Sequence, residues 1–105
     1  AIRDYIHVCD VAKGHVAALE AGFARTGHHI FNLGTGKGES VLGVIHAFEQ
    51  ASGQIIPVNF SERRQGDVAS CYAQADKALQ ELNWKAEHDL QTIARDYCHW
   101  LSLSN

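Results

Sequence analysis

The chain has 105 residues, of which 46% are hydrophobic and 20% charged, and its formal net charge is −3 at pH 7. These values predict one soluble globular domain and exclude a disordered chain. Because the chain is weakly acidic and has no basic run, we expect neither nucleic acid nor an anionic membrane as a partner. No apolar stretch approaches the roughly 20 residues that cross a bilayer and no leader opens the chain, so we expect a cytoplasmic protein.

Cysteine and histidine spacings argue against two kinds of site. Cys9, Cys71 and Cys98 are far apart and odd in number, which excludes a disulfide scaffold. The seven histidines form no His-x-x-x-His pair, so we expect no metal site. The chain has no methionine and begins inside a segment with a structured pattern, so we expect a fragment of a longer protein.

The first third of the chain predicts an extended segment, a helix and a strand. Residues 2–8 have an extended pattern, and Asp10 is a candidate N-cap for the helix that follows. The predicted apolar side of this helix comprises Ala12, Val16, Leu19 and Phe23. Residues 29–33 predict a short strand, followed by a glycine-rich loop at 34–39.

A second helix and a further strand are predicted next. Ser40 is a candidate N-cap, and Gly53 suits the left-handed position after the last helical turn. The predicted buried stripe comprises Val41, Val44, Ile45 and Phe48. Residues 55–60 predict a strand, which Pro57 restricts to a sheet edge or a strand start because proline cannot donate to a ladder.

The last third predicts two helices. Residues 71–75 have an extended pattern, Asp76 is a candidate cap for a short helix through Leu82, and Asp89 starts the last helix. The apolar face of the last helix comprises Leu90, Ile93, Ala94, Tyr97, Trp100 and Leu101. This alternation predicts an α/β fold class, a mixed α+β small lobe with a few short strands and about four helices.

The glycine-rich loop raises the question of phosphate binding, because backbone N–H groups at a helix N-terminus attract anions. The spacing of the loop differs from the two phosphate-binding patterns, the Walker A loop and Gly-x-Gly-x-x-Gly. A Walker A loop needs Gly-Lys-Ser/Thr with another glycine five positions before that Gly-Lys pair, whereas here Gly38 follows Lys37 and Phe31 holds the earlier place. The glycines at 34, 36 and 38 also do not form Gly-x-Gly-x-x-Gly. We therefore interpret the loop as a tight structural turn.

Other polar residues permit binding or catalysis but do not establish it. The loop 63–67, with Arg3, supplies guanidinium groups that could hold a diphosphate, although a solvated surface loop has the same composition. Candidate acid–base or nucleophilic residues are His7, His15, Cys9 and Cys71. We expect these four to be structural, because the sequence gives none of them a base or an electropositive setting.

Four sequence blocks occur together in a recognisable order. They are Arg3-Asp4-Tyr5-Ile6-His7-Val8-Cys9-Asp10-Val11-Ala12-Lys13-Gly14-His15, Phe31-Asn32-Leu33-Gly34-Thr35-Gly36, Arg63-Arg64-Gln65-Gly66-Asp67 and Leu82-Asn83-Trp84. With these blocks the whole chain resembles the C-terminal portion of the UDP-glucose 4-epimerase family, within the extended short-chain dehydrogenases/reductases.

The resemblance implies the C-terminal substrate-binding lobe of a parent enzyme whose N-terminal Rossmann domain holds NAD. In that family NAD accepts a hydride from C4 of the sugar and returns it to the opposite face, which interconverts UDP-galactose and UDP-glucose. The implied substrate-binding residues are Arg3 and Arg64 on the diphosphate, Asp67 on the ribose, Val41 on the nucleotide and Cys71 beside the sugar. Because the small Cys71 stands where some members have tyrosine, the parent is also expected to accept N-acetylated sugars.

The resemblance assigns no catalytic or NAD-binding residue to this chain. Tyr5, Tyr72 and Tyr97 lack a lysine four positions later, so the family's Tyr-x-x-x-Lys pair is absent. We therefore expect the chain alone to be inactive, to bind UDP-glucose poorly and to self-associate, and the parent to be a homodimer. The alternatives are a fragment of a related nucleotide-sugar epimerase or decarboxylase, and a non-catalytic binding or assembly module.

Overall fold

The computed structural model describes residues 2–22, 27–59, 66 and 69–103. Within these ranges it forms β1 (Ile2–Arg3), α1 (Val8–Gly22), β2 (Glu39–Ser40), α2 (Val41–Ser52), β3 (Ser70–Cys71), α3 (Asp76–Leu82) and α4 (Leu90–Leu103). The predicted mixed α+β class, with four helices and a few short strands, is confirmed. No helix in the described part of the chain has the length and hydropathy needed to cross a bilayer.

The three strands form one small sheet with the order β2-β1-β3. β1 is antiparallel to β2 and parallel to β3, with Arg3 opposite Glu39 on one side and opposite Cys71 on the other. Because in-register neighbours project from the same face of a sheet, the side chains of these three residues form one row. The sheet therefore brings together residues that are 36 and 68 positions away from Arg3.

Local capping signals are confirmed for two helices. The Ser40 hydroxyl accepts a hydrogen bond from the Gly43 N–H at 2.9 Å, and Gly53 ends α2 in the left-handed conformation with φ 72°. Asp89 precedes α4, and its carboxylate accepts the Thr92 N–H at 2.8 Å. α2 and α4 pack on each other, with the rings of Phe48 and Tyr97 in an edge-to-face arrangement at 5.6 Å.

The prediction that Asp10 caps α1 is wrong. The helix begins at Val8, so Asp10 lies in its first turn, and Asp10 is fully buried. The predicted apolar side is also misplaced, since Val16 and Leu19 are 53% and 66% exposed.

The buried side of α1 centres on Gly14 and Trp84. Trp84 is 5% exposed and its indole Nε1 donates to the Asp10 carbonyl at 2.9 Å. A Cβ added at Gly14 would lie 2.6 Å from Leu33 Cδ1 and 3.2 Å from Trp84 Nε1. Any larger residue at position 14 would force the Leu33 side chain to move, so the glycine allows this close approach. The buried side of α1 is therefore opposite to the side that the apolar pattern predicted.

The strands predicted at 29–33 and 55–60 are also wrong, with residue 60 outside the described ranges. Side chains replace the missing ladder partners in both segments. Lys77 donates to the Ile30 carbonyl at 2.8 Å, and the Ile56 N–H donates to Glu49 Oε2 at 3.0 Å. Each segment thus satisfies a backbone polar group without joining a sheet.

The chain is more extended than a globular domain of its mass. Its accessible surface is 8061 Å², whereas about 5800 Å² is typical of a folded monomer of this mass. Its radius of gyration is 16.5 Å, compared with about 13 Å for a compact domain of this length. Large apolar side chains are exposed, including Val8 at 74% and Ile55 at 90%. Such a surface is typical of a unit that packs against further polypeptide.

Candidate functional site

A surface depression of about 520 Å³ lies beside β1 and β3. Its lining includes Arg3 and Cys71, which are opposite each other in the parallel register, together with Phe31, Asn32, Tyr72 and Gln74. Arg3 is half-buried and one of its guanidinium N–H groups donates to the Ile2 carbonyl at 2.8 Å. Cys71 is exposed and its thiol is free. A guanidinium beside an open, mixed polar and apolar surface is suited to an anionic ligand with a neutral body.

The glycine-rich loop next to this depression surrounds a carboxylate of the chain itself. Asp4 accepts hydrogen bonds from the Thr35 N–H at 3.0 Å, the Thr35 hydroxyl at 2.7 Å and the Gly36 N–H at 3.0 Å. It also accepts the Ala73 N–H at 3.1 Å. The N–H groups of Thr35 and Gly36 are therefore used on Asp4, and that of Lys37 donates to the Thr35 hydroxyl at 3.1 Å, as a structural turn requires.

The hydrogen bonds to Asp4 determine its charge state. Burial raises the pKa of the Asp4 carboxyl, but the hydrogen bonds from Thr35, Ala73 and Gly36 outweigh burial and hold the pKa below its ordinary value. The carboxyl is thus ionised at neutral pH and accepts from all four donors.

A pH dependence of stability follows from this lowered pKa. Since the pKa is lower in the folded than in the unfolded chain, Asp4 stabilises the fold fully above about pH 4 and loses this contribution as the pH falls through the folded-state value. We expect the free energy of unfolding, measured by urea titration, to fall below about pH 4, and less steeply in Asp4→Asn. An identical acid slope in both proteins would contradict this assignment.

Of the other three predicted substrate-binding residues, the structure describes only Val41. Val41 is the first residue of α2 and is 48% exposed. It follows β2, so β1 lies between it and Cys71, and it does not line the depression. Arg64 and Asp67 lie outside the described residues. The structure therefore brings Arg3 and Cys71 together and places Val41 after β2, on the other side of β1 from Cys71.

His7 belongs to a polar cluster remote from the depression. His7 is buried, and its Nδ1 accepts the Cys9 N–H at 3.0 Å, which leaves the ring proton on Nε2 to donate to Asp96 at 2.8 Å. This hydrogen bond lowers the pKa of the Asp96 carboxyl. The His7 ring also stacks on His88 at 4.4 Å.

Asp10 is the buried carboxylate of the same cluster. It accepts the His88 backbone N–H at 3.1 Å, and its second oxygen lies 3.0 Å from His88 Nδ1, a close contact without hydrogen-bond geometry. Burial raises the pKa of the Asp10 carboxyl, but the backbone N–H groups of 87–88 and the adjacent His88 ring outweigh burial and hold the pKa below its ordinary value. The cluster joins α1 to α4 and to the segment just before α4. Neither His7 nor His15 lines the depression.

Asp4 is the residue at this site that the sequence did not reveal. It was visible only as the neighbour of Arg3. Its donors are 31, 32 and 69 positions away, a separation at which no local pattern pairs an acceptor with a donor. The combination of an aspartate after the strand arginine and a threonine between two loop glycines is the signal that could have indicated it.

Comparison with known proteins identifies the family. Residues 1–97 match a model of the GDP-mannose 4,6-dehydratase family. Because this match spans most of the chain, the chain belongs to that family.

The individual relatives are more specific. The chain is 48% identical over 101 residues to the UDP-glucose 4-epimerase of Bacillus subtilis, covering 96% of this chain and 30% of that protein. A crystal structure of the Bifidobacterium longum UDP-glucose 4-epimerase in complex with NAD+ and UDP has a TM-score of 0.92 at 48% identity, covering 98% of this chain and 30% of that one. The UDP-Glc/GlcNAc 4-epimerase of Campylobacter jejuni has a TM-score of 0.84 at 34% identity, covering 98% and 31%. The chain thus spans about 30% of the length of its relatives.

Proposed function

We propose that this chain is the UDP-sugar-binding part of an NAD-dependent UDP-glucose 4-epimerase, which interconverts UDP-galactose and UDP-glucose. One observation carries the proposal furthest. Arg3 and Cys71, 68 positions apart, are paired across β1 and β3 at the edge of a depression. The family resemblance implies that Arg3 contacts the diphosphate and that Cys71 lies beside the sugar. The similarity to enzymes of this name supports the same activity.

Within the proposal the chain binds and orients its ligand. The Arg3 guanidinium holds a diphosphate oxygen pair through charge-assisted hydrogen bonds, which suit its planar fork. Arg64 and Asp67 hold the diphosphate and the ribose, Val41 contacts the nucleotide, and Cys71 lies beside the sugar. Together they fix the position of C4 relative to the catalytic groups of the parent protein.

The proposal assigns no contact with NAD to the described residues of this chain. The glycine-rich loop is where a dinucleotide pyrophosphate would approach, and its N–H groups are used by Asp4. We assign NAD and the hydride chemistry to the other 70% or so of the relatives' length. The exposed apolar surface of the chain supports contact with that remainder. The proposal includes a cytoplasmic, homodimeric parent and an inactive isolated chain.

An assay of the full-length protein tests the proposed function. Incubated with UDP-galactose and NAD, the protein is expected to produce a mixture of UDP-galactose and UDP-glucose, read by NMR of the anomeric protons, with no net NADH formed. If the parent protein is a non-catalytic module, no turnover is expected. If it is a related dehydratase or decarboxylase, the product is neither UDP-galactose nor UDP-glucose. Either outcome would contradict the proposal.

Cys71 is expected to set the size of the accepted sugar. The thiol is exposed at the depression, so it leaves room for an acyl group at the sugar 2-position. We expect the full-length protein to epimerise UDP-N-acetylglucosamine, and Cys71→Tyr to lower kcat/KM for this sugar at least about tenfold while UDP-glucose is affected less. Cys71→Ser, of similar volume, is the matched control and retains both activities. Equal losses for both sugars in Cys71→Tyr would refute the size argument.

A further inference from the structure

The Asp4 carboxylate joins three segments that are far apart in the sequence. Its Oδ1 accepts two hydrogen bonds from Thr35, and its Oδ2 accepts the N–H groups of Gly36 and Ala73. A carboxylate offers about four lone-pair sites, so these donors use its full capacity. Asp4 is therefore an internal anion that holds the end of β1, the glycine-rich loop and the segment after β3 in one arrangement.

This arrangement continues the strand pairing that aligns the proposed site. Arg3 is opposite Cys71 in the β1–β3 register, and the next residue, Asp4, binds Ala73 two positions after Cys71. β1 and β3 are only two residues long, so they provide few ladder hydrogen bonds of their own. The side-chain bond from Asp4 to Ala73 thus fixes how Cys71 lies relative to Arg3.

The glycine-rich loop is packed directly onto the same carboxylate. A Cβ added at Gly34 would lie 2.6 Å from Asp4 Oδ2 and 2.5 Å from Ala73 Cβ. No larger residue fits there without moving the loop or the segment after β3. The close packing makes the position of this segment sensitive to what occupies position 4.

We propose that Asp4 is a positioning residue for UDP-sugar binding, acting by fixing the separation between Arg3 and Cys71. The proposal rests on the proposed function, which gives the diphosphate to Arg3 and the sugar to Cys71. Asp4 also lines the depression, but its two oxygens already accept from Thr35, Gly36 and Ala73, so its role is to position Arg3 and Cys71. Its effect is on binding, because the hydride and proton chemistry is assigned to the remainder of the parent protein.

Asparagine at position 4 is the sharpest test, because it keeps the shape and removes the second acceptor. An amide nitrogen in place of Oδ2 would face the N–H groups of Gly36 and Ala73, so both donors would lose their partner. With one amide oxygen still accepting from Thr35, the loop contact is retained in part. The substitution therefore loosens the Cys71 segment more than the rest of the fold.

Asp89→Asn provides a control with matched chemistry. Asp89 accepts the N–H and the hydroxyl of Thr92 at 2.8 and 2.7 Å, as Asp4 accepts those of Thr35. It caps α4 and does not line the depression that contains Arg3 and Cys71. A purely structural effect of losing a carboxylate would appear in both variants.

The experiment measures kcat and KM for UDP-galactose in the full-length protein. We expect Asp4→Asn to raise KM about tenfold with kcat changed less than about twofold, and Asp89→Asn to change neither. An unchanged KM in Asp4→Asn would overturn the positioning role. So would the same fall in kcat and the same rise in KM in both variants. An inactive wild-type protein would overturn the proposed function and the positioning role with it, whereas an active wild type with an unaffected Asp4→Asn overturns the positioning role alone.

A second pair of variants keeps the test valid if Asp4→Asn fails to fold. Thr35→Val removes the hydroxyl donor to Asp4 and keeps the backbone N–H, whereas Thr35→Ser keeps both donors. We expect Thr35→Val to raise KM about threefold and Thr35→Ser to restore the wild-type KM. Equal KM values in these two variants would contradict the positioning role.

Discussion

Arg3→Ala in the full-length protein is expected to weaken UDP binding about 100-fold, as measured by isothermal titration calorimetry in the presence of NAD. Arg3 lines the depression, and its guanidinium is the described cation that lies closest in register to Cys71. A charge-assisted hydrogen bond contributes about 1.5–3 kcal/mol, and a two-point contact with a diphosphate supplies the expected loss.

Two further arginine variants give this prediction its controls. Arg3→Lys keeps the charge but not the planar fork, so we expect an intermediate loss of affinity. Arg95 is 73% exposed and lies 4.0 Å from Asp96 on α4, away from the depression, so Arg95→Ala should bind UDP like the wild type. Equal affinities of Arg3→Ala and Arg95→Ala for UDP would contradict the assignment of the diphosphate to Arg3.

Trp84→Ala is expected to cause the largest loss of stability, about 3–5 kcal/mol, in urea unfolding of the 105-residue chain at fixed protein concentration. Trp84 is 5% exposed, packs beside Gly14 and donates to the Asp10 carbonyl. The substitution removes a large buried ring and leaves a buried carbonyl without its indole donor. A single domain is stable by only about 5–15 kcal/mol, so the variant would be close to unfolding.

The second tryptophan provides the matched comparison. Trp100 is 59% exposed on α4, where its ring lies 6.0 Å from that of Tyr97. We expect Trp100→Ala to lower the free energy of unfolding by roughly 1 kcal/mol. Similar losses in the two variants would show that the packing between α1 and Trp84 does not hold the fold together.

Features determined by neighbouring residues could be predicted from the sequence. Ser40, Gly53 and Asp89 act at helix ends as expected, because a cap depends on donors and acceptors within about four positions. The predicted fold class followed from the alternation of such local elements. The two missing strands failed for a different reason, since side chains beyond the reach of a cap supply partners for the backbone of these segments. Lys77 is 47 positions from Ile30, and Glu49 is seven positions from Ile56.

The site was predictable only in part. The family resemblance indicated Arg3 and Cys71, and the sheet register brings them together across 68 positions. Periodicity failed on α1 because a glycine, not an apolar residue, marks its buried side. Asp4 was missed because its role depends on donors from two distant segments, which only the folded chain brings to one carboxylate.

The most direct test is a crystal structure of the full-length protein with UDP-galactose bound. The predicted result places the Arg3 guanidinium within about 3 Å of a diphosphate oxygen and Cys71 Sγ in contact with the sugar. Arg64, Asp67 and Val41 would contact the same ligand, on the diphosphate, the ribose and the nucleotide. A UDP-galactose molecule bound away from β1 and β3, with Arg3 and Cys71 touching no part of it, would contradict the assignment.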